Sequence, residues 1–424
     1  MKPLGIALLG LGTVGSAVYN TITTQNTELA KRAGRSLEIR RILVKDITKS
    51  RTVNVPSHLL TTDISQVIDD PEVDVAVEVI GGIIPAVEYL RDSILAGKHI
   101  VTANKELLAK HGKELLGLAD KQGVHFHFEA TAGGGIPIIK ALKESLAANE
   151  ISKVMGIING TTNYILTEMA VRGISLEEAL SEAQAKGYAE ADPSSDVDGY
   201  DVGYKLLILG SIAFGARLDL DKINIEGIRR ISSIDLEYGR KLGYTLKLLA
   251  IAKDTPKGIE ARVHPTFIPN RHPLASVSGV FNAVYVEGDP VGELMFYGRG
   301  AGGSPTASAV CSDIIDVARD SGTKRACSCL NVKNQLPMET TISKYYVRFS
   351  VLDQPGVLGQ IAAAFGRNNV SLHSVIQQGR GEPVPLVFVT HEVKEAGFCQ
   401  AIEEIKSLDC VFQVDNVIRV EEEV

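Results

Sequence analysis

Gly10-Leu11-Gly12-Thr13-Val14-Gly15 follows directly on the apolar run Ile6-Ala7-Leu8-Leu9 and opens a stretch of helical periodicity. Gly-x-Gly-x-x-Gly alone is a weak signal, because glycine-rich turns are common. A strand before it and a helix after it make it a strong one. Gly10 permits the tight turn, Gly12 lets the backbone approach a pyrophosphate, and Gly15 lets the helix pack close to the sheet. The free N–H groups and dipole of the helix start then receive phosphates. A dinucleotide is the expected ligand.

The surrounding sequence supports this. Short apolar runs at Ile6–Leu9, Leu37–Val44, Val73–Ile80, His99–Thr102 and His125–Glu129 alternate with helical patterns, the first over Val14–Arg32. That order implies right-handed crossovers and an α/β, Rossmann-type doubly wound parallel sheet. From about residue 140 helical segments dominate, including Ser175–Lys186 with a Ser175/Glu178 capping box. Residues 260–300 turn strand-like, Val280–Val286 most clearly, so an α+β substrate and dimerisation domain is expected. Gly298–Ser304 is a glycine-rich loop, and the helix Pro305–Arg319 is expected to pack back on the first domain. Residues 331–342 read as a linker. The last stretch starts over: strands at Tyr345–Leu352, Ser371–Gln377, Pro385–Val393 and Val411–Val420, helices at Val357–Arg367 and Phe398–Ser407. This βαββαβ order is a ferredoxin-like fold. The expected domains are 1–135 (completed by 305–325), 136–304, and 343–424 beyond the linker.

Composition narrows the function. With 424 residues and 45% hydrophobic content, several domains can each bury a core. Gly is abundant at 40 residues and aromatics are only 5%, which suits many strand–helix turns. The net charge of −7 argues against nucleic acid, whose phosphates need a basic face. No stretch approaches the ~20 apolar residues of a membrane span. The apolar N-terminus runs straight into a glycine turn and reads as a buried strand, not a signal peptide. A cytoplasmic protein is expected. The five cysteines are odd in number, and Cys327-Ser-Cys329 fits neither a CxxC redox pair nor zinc spacing, so reduced thiols are expected.

Three further stretches carry chemistry. The second strand ends Val44-Lys45-Asp46, where an acid favours NAD and a basic residue favours a 2′-phosphate. Lys45 leans the reading to NADP, and Asp46 keeps NAD possible. Thr102-Ala103-Asn104-Lys105 lies at the carboxyl edge of the sheet, where Lys105 can meet cofactor or substrate or simply begin a surface helix. Lys186-Gly187-Tyr188-Ala189-Glu190-Ala191-Asp192-Pro193, continuing through Asp196, Asp198 and Asp201 to Lys205, carries five acids and enters an apolar helix. Asp201 and Lys205 share a helical face at i, i+4. A partly buried lysine beside an acid suits proton transfer. The bland alternative is a solvated acidic loop with an ordinary ion pair.

These stretches, with Phe128-Glu129-Ala130-Thr131-Ala132-Gly133-Gly134-Gly135-Ile136-Pro137 and Ile158-Asn159-Gly160-Thr161-Thr162-Asn163-Tyr164, resemble the homoserine dehydrogenase family in order and spacing from residue 1 to about 325. The resemblance implies reversible oxidation of the homoserine C4 hydroxyl to aspartate 4-semialdehyde by a nicotinamide cofactor. It implies Lys205 as general acid/base, Lys105 near the reacting oxygen, and Glu190 and Asp201, with Asp196, on the substrate ammonium. The implied cofactor-binding residues are Gly10, Gly12, Thr13, Val14, Gly15, Lys45, Thr102, Lys105 and Gly303. It also implies a structural monovalent cation, usually Na+, on Glu129 and the carbonyls of Ala132, Gly134 and Ile136; a glycine turn needing positive φ is the alternative. His125 and His127 have no third ligand in view and read as a structural pair.

Tyr346–Ile361, with Asp353-Gln354-Pro355-Gly356, followed by Asn368-Asn369-Val370, resembles an ACT domain. That implies amino-acid sensing at a dimer interface, with L-threonine as feedback inhibitor near Asp353, Gly356 and Asn369; a purely structural dimerisation module is the alternative. A homodimer or homotetramer without a fused aspartate kinase segment is the expectation. Two competing readings are a phosphorylating semialdehyde dehydrogenase, which needs a thiolate nucleophile, and a non-catalytic amino-acid or redox sensor.

Overall fold

The computed structural model describes residues 2–319 and 328–422. Cys327, and residues 320–325 of the segment expected to complete the first domain, lie outside the described residues. The chain forms two compact units: Met1–Val154 with Tyr204–Leu220 and Phe281–Lys333, and Met155–Gly203 with Asp221–Val280 and Asn334–Val424.

The first unit is built on six parallel strands, β1 (Leu4–Leu9), β2 (Leu37–Leu43), β3 (Leu60–Thr61), β4 (Val75–Glu78), β5 (His99–Thr102) and β6 (Phe126–His127), in the order β3-β2-β1-β4-β5-β6. Alternation along β1 sends Leu4, Ile6 and Leu8 into one apolar layer and Ala7 and Leu9 into the other. Both faces are covered, which is why β1 reads as an unbroken apolar run. The helix Gly303–Arg319 does pack back, contributing Val310, Ile314 and Val317 to the layer that holds Val18 and Ile22. The chain leaves β1 towards β2 on one side and resumes at β4 on the other. This puts the topological switch at the carboxyl ends of β1 and β4, where such sheets bind ligands.

Two local expectations differ. The single helix over Val14–Arg32 is two helices, Thr13–Thr24 and Asn26–Ala33. The hydroxyls of Thr21, Thr23 and Thr24 donate back to the carbonyls of Ala17, Tyr19 and Asn20, and such bonds weaken a helix. Gln25 then leaves helical geometry (φ −111°, ψ 15°). The strand over His125–Glu129 shortens to Phe126–His127, because Glu129–Thr131 turn into a 3₁₀ segment whose first N–H, that of Glu129, donates to the Asp313 carboxylate at 2.9 Å.

In the second unit β7 (Tyr244–Thr255), β8 (Gly258–Pro269), β9 (Ile342–Val351), β10 (Leu372–Gln377), β11 (Val384–Thr390) and β12 (Val411–Val420) run in the order β7-β8-β12-β9-β11-β10. The last four strands and the helices Val357–Arg367 and Glu395–Lys406 make the expected ferredoxin-like module, whose own core includes Phe349, Ile361, Phe365 and Phe388. β12 pairs in parallel with β8 through Thr266 with Arg419 and Phe267 with Val420, so the sheet continues across the module boundary. The segment expected as a linker is pinned there: Ile259 N–H donates to Asn334 O and Leu336 N–H to Ile259 O, both at 2.8 Å, and Gln335 is buried. Among the described residues no helix is long and apolar enough to cross a membrane.

Candidate active site

At the switch point of the first unit lies a cavity of 1130 Å³. Gly10, Gly12, Thr13 and Lys45 line it; Val14, Gly15, Thr102, Lys105 and Gly303 do not. The glycines fit a dinucleotide for separate reasons. Gly10 has φ +108°, and a Cβ there would lie 2.9 Å from Val79 O. A Cβ on Gly12 would meet nothing within 4 Å, leaving its backbone open to a ligand. Gly15 acts through packing, since its Cβ would sit 2.3 Å from Gly10 O. Gly12 stands at the N-cap of the Thr13–Thr24 helix without a side-chain cap, so the helix start keeps its N–H groups for an anion. Gly303 closes against the same helix start, where an added Cβ would meet Thr13 and Ala17. Gly15→Ala is expected to cost about 1–3 kcal/mol through overpacking and to weaken dinucleotide binding. A thermal melt and a cofactor titration that both match wild type would remove Gly15 from this role.

Sequence reasoning missed part of this cavity. Lys49 and Arg51 line it beside Lys45 and Asp46. Arg51 donates to the carbonyls of Asp46 and Lys49, the latter at 2.7 Å, and so shapes a cationic loop. The Asp46 carboxylate accepts both the N–H and the hydroxyl of Thr48 at 2.7 Å, which hold its pKa below the usual range. That carboxylate is therefore turned into its own loop.

Thr102 is fully buried and donates to Glu78 at 2.6 Å. Glu78, also fully buried, accepts N–H bonds from Ile80 and Gly81 at 2.8 and 3.2 Å. Burial pushes its carboxyl up despite these donors. Asn104 donates twice: its N–H to Thr102 Oγ1 at 3.0 Å and its side-chain amide to Gly82 O at 2.6 Å. Asn104 Oδ1 caps the Lys105–Gln122 helix by accepting Leu107 N–H. Lys105 is thus the first residue of a helix anchored to the loop after β4. A cation is electrostatically disfavoured at that end, so helix stability does not explain a lysine there.

The acidic stretch resolves into separate tasks. Asp198 pairs with Arg229, and Asp192 accepts Ser194 N–H at 3.1 Å. Glu190 is exposed. Asp196 and Asp201 converge on one group: Asn159 Nδ2 donates to both, at 2.7 and 2.8 Å. Asp201 and Lys205 lie one turn apart on the helix Tyr200–Ala213 and are only 3% and 7% exposed. Burial of both makes the solvated-loop reading untenable for this end of the stretch.

The remaining sites separate likewise. The Glu129 carboxylate accepts Ile139 N–H and Lys140 N–H at 2.9 and 2.7 Å, and Ile136 O accepts Ile138 N–H at 2.9 Å. A cation on this segment would have to use the lone pairs those bonds leave. His127, read without further ligands, has the carboxylates of Asp313 and Asp316 within 4.8 Å, neighbours that the sequence separates too widely to suggest. Lys140 already pairs with Asp316 at 2.6 Å. Asp353 and Gly356 stand before the helix Val357–Arg367 and Asn369 after it. Eleven residues span roughly 16 Å, so Asp353 and Gly356 stand at one end of this helix and Asn369 at the other. Asn369 has φ +56°, a conformation asparagine tolerates. Cys311, Cys399 and Cys410 are free, but Cys329 is disulfide-bonded, against the expectation of reduced thiols. Spacing rules for redox and zinc motifs do not test whether a second sulfur comes within bonding reach. Burial pushes the Cys311 thiol up to about 12, which disqualifies it as the nucleophile of a phosphorylating dehydrogenase.

Comparison with known proteins agrees with this division. Residues 10–129 match the NAD-binding domain of homoserine dehydrogenase, 137–315 the homoserine dehydrogenase family and 345–410 the ACT domain. The homoserine dehydrogenase of Synechocystis is 44% identical, with 98% of this chain and 99% of that protein aligned, and that of Bacillus subtilis 42%, with 99% of each. The crystal structure of the enzyme from Thiobacillus denitrificans superposes with a TM-score of 0.95 at 43% identity over 99% of both chains. A hyperthermophilic archaeal homoserine dehydrogenase in complex with NADPH matches 74% of this chain and 97% of its own, with a TM-score of 0.63 at 27% identity. The chain belongs to the homoserine dehydrogenase family, in the form that carries a C-terminal ACT domain.

Proposed function

We propose that this homoserine dehydrogenase interconverts L-homoserine and L-aspartate 4-semialdehyde with NADP(H) in preference to NAD(H), under feedback control by L-threonine. One observation carries the substrate assignment: Asn159 draws the Asp196 and Asp201 carboxylates together. Two like charges in close approach are stabilised by a cation between them, and the substrate brings an ammonium group. Glu190 is the third, solvent-side carboxylate for it. Lys205 takes the C4 hydroxyl proton; a nicotinamide cofactor held at the Gly10–Gly15 turn would supply the hydride acceptor. Lys105 stabilises the developing alkoxide. The Glu129, Ala132, Gly134 and Ile136 segment holds a monovalent cation in a structural role, chiefly through main-chain oxygens. Threonine lies near Asp353 and Gly356 of one ACT module, with Asn369 reaching it from a second copy, so the protein acts as a homodimer or homotetramer, in the cytoplasm.

The test is the initial rate of NADP reduction by L-homoserine, with and without L-threonine. No turnover with either NADP or NAD would sink the proposal, and indifference to threonine would remove the regulatory part. NADP preference rests on Lys45, Lys49 and Arg51 lining the cavity while Asp46 is engaged by Thr48. Lys45→Ala is expected to raise KM for NADP at least about tenfold, the loss of a charge-assisted bond to phosphate, and to leave KM for NAD unchanged. Equal effects on both cofactors would assign Lys45 to something other than the 2′-phosphate.

A further inference from the structure

Asn159 stands at the N-cap of the helix Gly160–Arg172 and is 5% exposed. Its Oδ1 accepts the Thr162 N–H at 2.8 Å and the Thr162 hydroxyl at 3.0 Å. Capping explains an oxygen at this position, and Asp, Ser or Thr supplies one as well as Asn. Capping does not explain the other end of the amide. There Nδ2 donates to Asp196 Oδ1 at 2.7 Å and to Asp201 Oδ2 at 2.8 Å. These acids lie 37 and 42 residues downstream. Both side-chain hydrogens are thus spent on two carboxylates that belong to different helices, Ser194–Val197 and Tyr200–Ala213. Among the cap-forming residues only asparagine offers the oxygen and the two donors together.

We infer that Asn159 is a positioning residue that sets the spacing of Asp196 and Asp201 for the substrate's ammonium group. This rests on the assignment of those carboxylates under Proposed function. The helix start fixes the amide from one side, so its orientation is settled before substrate arrives. The two N–H bonds restrain a like-charge pair that would otherwise separate, and no ordering is left for the substrate to impose. The Asp201 carboxylate, one turn from Lys205, is thereby tied to the same anchor as Asp196, which orients the reacting carbon relative to the lysine.

Two substitutions separate capping from positioning. Asn159→Asp and Asn159→Ser both keep a helix-capping oxygen. Asn159→Asp removes both donors and adds a third negative charge; Asn159→Ser removes the donors without adding charge. Each is compared with Asp196→Asn and Asp201→Asn in the full-length enzyme for melting temperature, kcat, and KM for homoserine and for NADP. The expected result is a KM for homoserine raised at least about tenfold, more in Asn159→Asp than in Asn159→Ser, as lost hydrogen bonds to charged groups predict. KM for NADP stays near wild type in both, and so does the melting temperature of Asn159→Ser. If the two carboxylate variants raise KM for homoserine but neither Asn159 variant does, Asn159 only caps its helix and the inference fails while the ammonium assignment stands. If the carboxylate variants leave that KM unchanged, the assignment itself fails and the inference falls with it. Should Asn159→Asp fold poorly, Asn159→Ser decides the matter alone.

Discussion

Lys205→Ala is expected to lower kcat for homoserine oxidation by about 10²–10⁴-fold, the usual contribution of a positioned general base. The substrate hydroxyl must lose its proton as hydride leaves the same carbon. Without an acceptor at that place the step needs water, and Lys205 is only 7% exposed, followed within its helix by Leu206, Leu207, Ile208 and Leu209, all buried. Truncation to Ala removes the amine and leaves a cavity without a proton acceptor. KM for the nicotinamide cofactor should hold, because Lys205 does not line the nucleotide cavity. KM for homoserine should change little, since the carboxylates proposed for the ammonium remain. Small primary amines added to the assay should restore part of the lost rate to Lys205→Ala and none to Asp201→Asn. A Lys205→Ala enzyme with near-wild-type kcat would place the proton acceptor elsewhere, with Lys105 the next residue to truncate.

What could be read in the sequence, and what could not, follows the range of the interactions. Gly10–Gly15 was legible because its chemistry is local: a positive φ, an open backbone and a close helix contact occur within six residues. The Asp201–Lys205 pair was legible because helical geometry fixes i, i+4 neighbours. The βαββαβ module was legible because period-2 and period-3.6 patterns alternate cleanly over it. The Asn159 anchor was not, since its partners lie 37 and 42 residues away and a cap residue gives no sign of a second use. The same holds for Asp313 and Asp316 beside His127. Lys49 and Arg51 were overlooked for a different reason: they follow the strand end where cofactor choice is sought, on a loop whose path is set by Arg51 bonding its own backbone. The break at Gln25 is local, but it depends on threonine hydroxyls choosing carbonyls over solvent, which periodicity does not register. The pinning of 331–342 needed the β8 edge to be known.

Asp235→Ala is expected to destabilise the second unit by about 3–5 kcal/mol, the cost of stripping one partner from a buried ion pair. Asp235 is fully buried near the start of the helix Ser233–Lys241, where it forms a capping box with Ser232. Its carboxylate also accepts Arg348 Nε at 2.8 Å, Tyr346 OH at 3.1 Å and Asn416 Nδ2 at 2.9 Å. Those three residues belong to β9 and β12, so one side chain fastens the ACT module to the segment that precedes β7. Burial alone would raise its pKa, but the Arg348 guanidinium, Asn416 and Ser232 outweigh it and hold the carboxyl below its ordinary value of 3.8. A group depressed on folding adds stability above its unfolded pKa and loses it as pH falls through the folded one. The difference between wild type and Asp235→Ala should therefore be flat at neutral pH and shrink only below about pH 4. Replacing Asp235 and Arg348 together by apolar residues of similar volume should recover part of the loss, because the buried guanidinium, left with Asp415 at 3.0 Å as its remaining ion-pair partner, contributes to it beside the missing bond. Because β8 and β12 belong to one sheet, urea unfolding of the second unit should show the ACT module and its neighbour melting together, earlier in Asp235→Ala than in wild type. A loss of only about 0–1 kcal/mol, the range of an exposed pair, would mean that the paired strands carry the junction and Asp235 merely caps its helix.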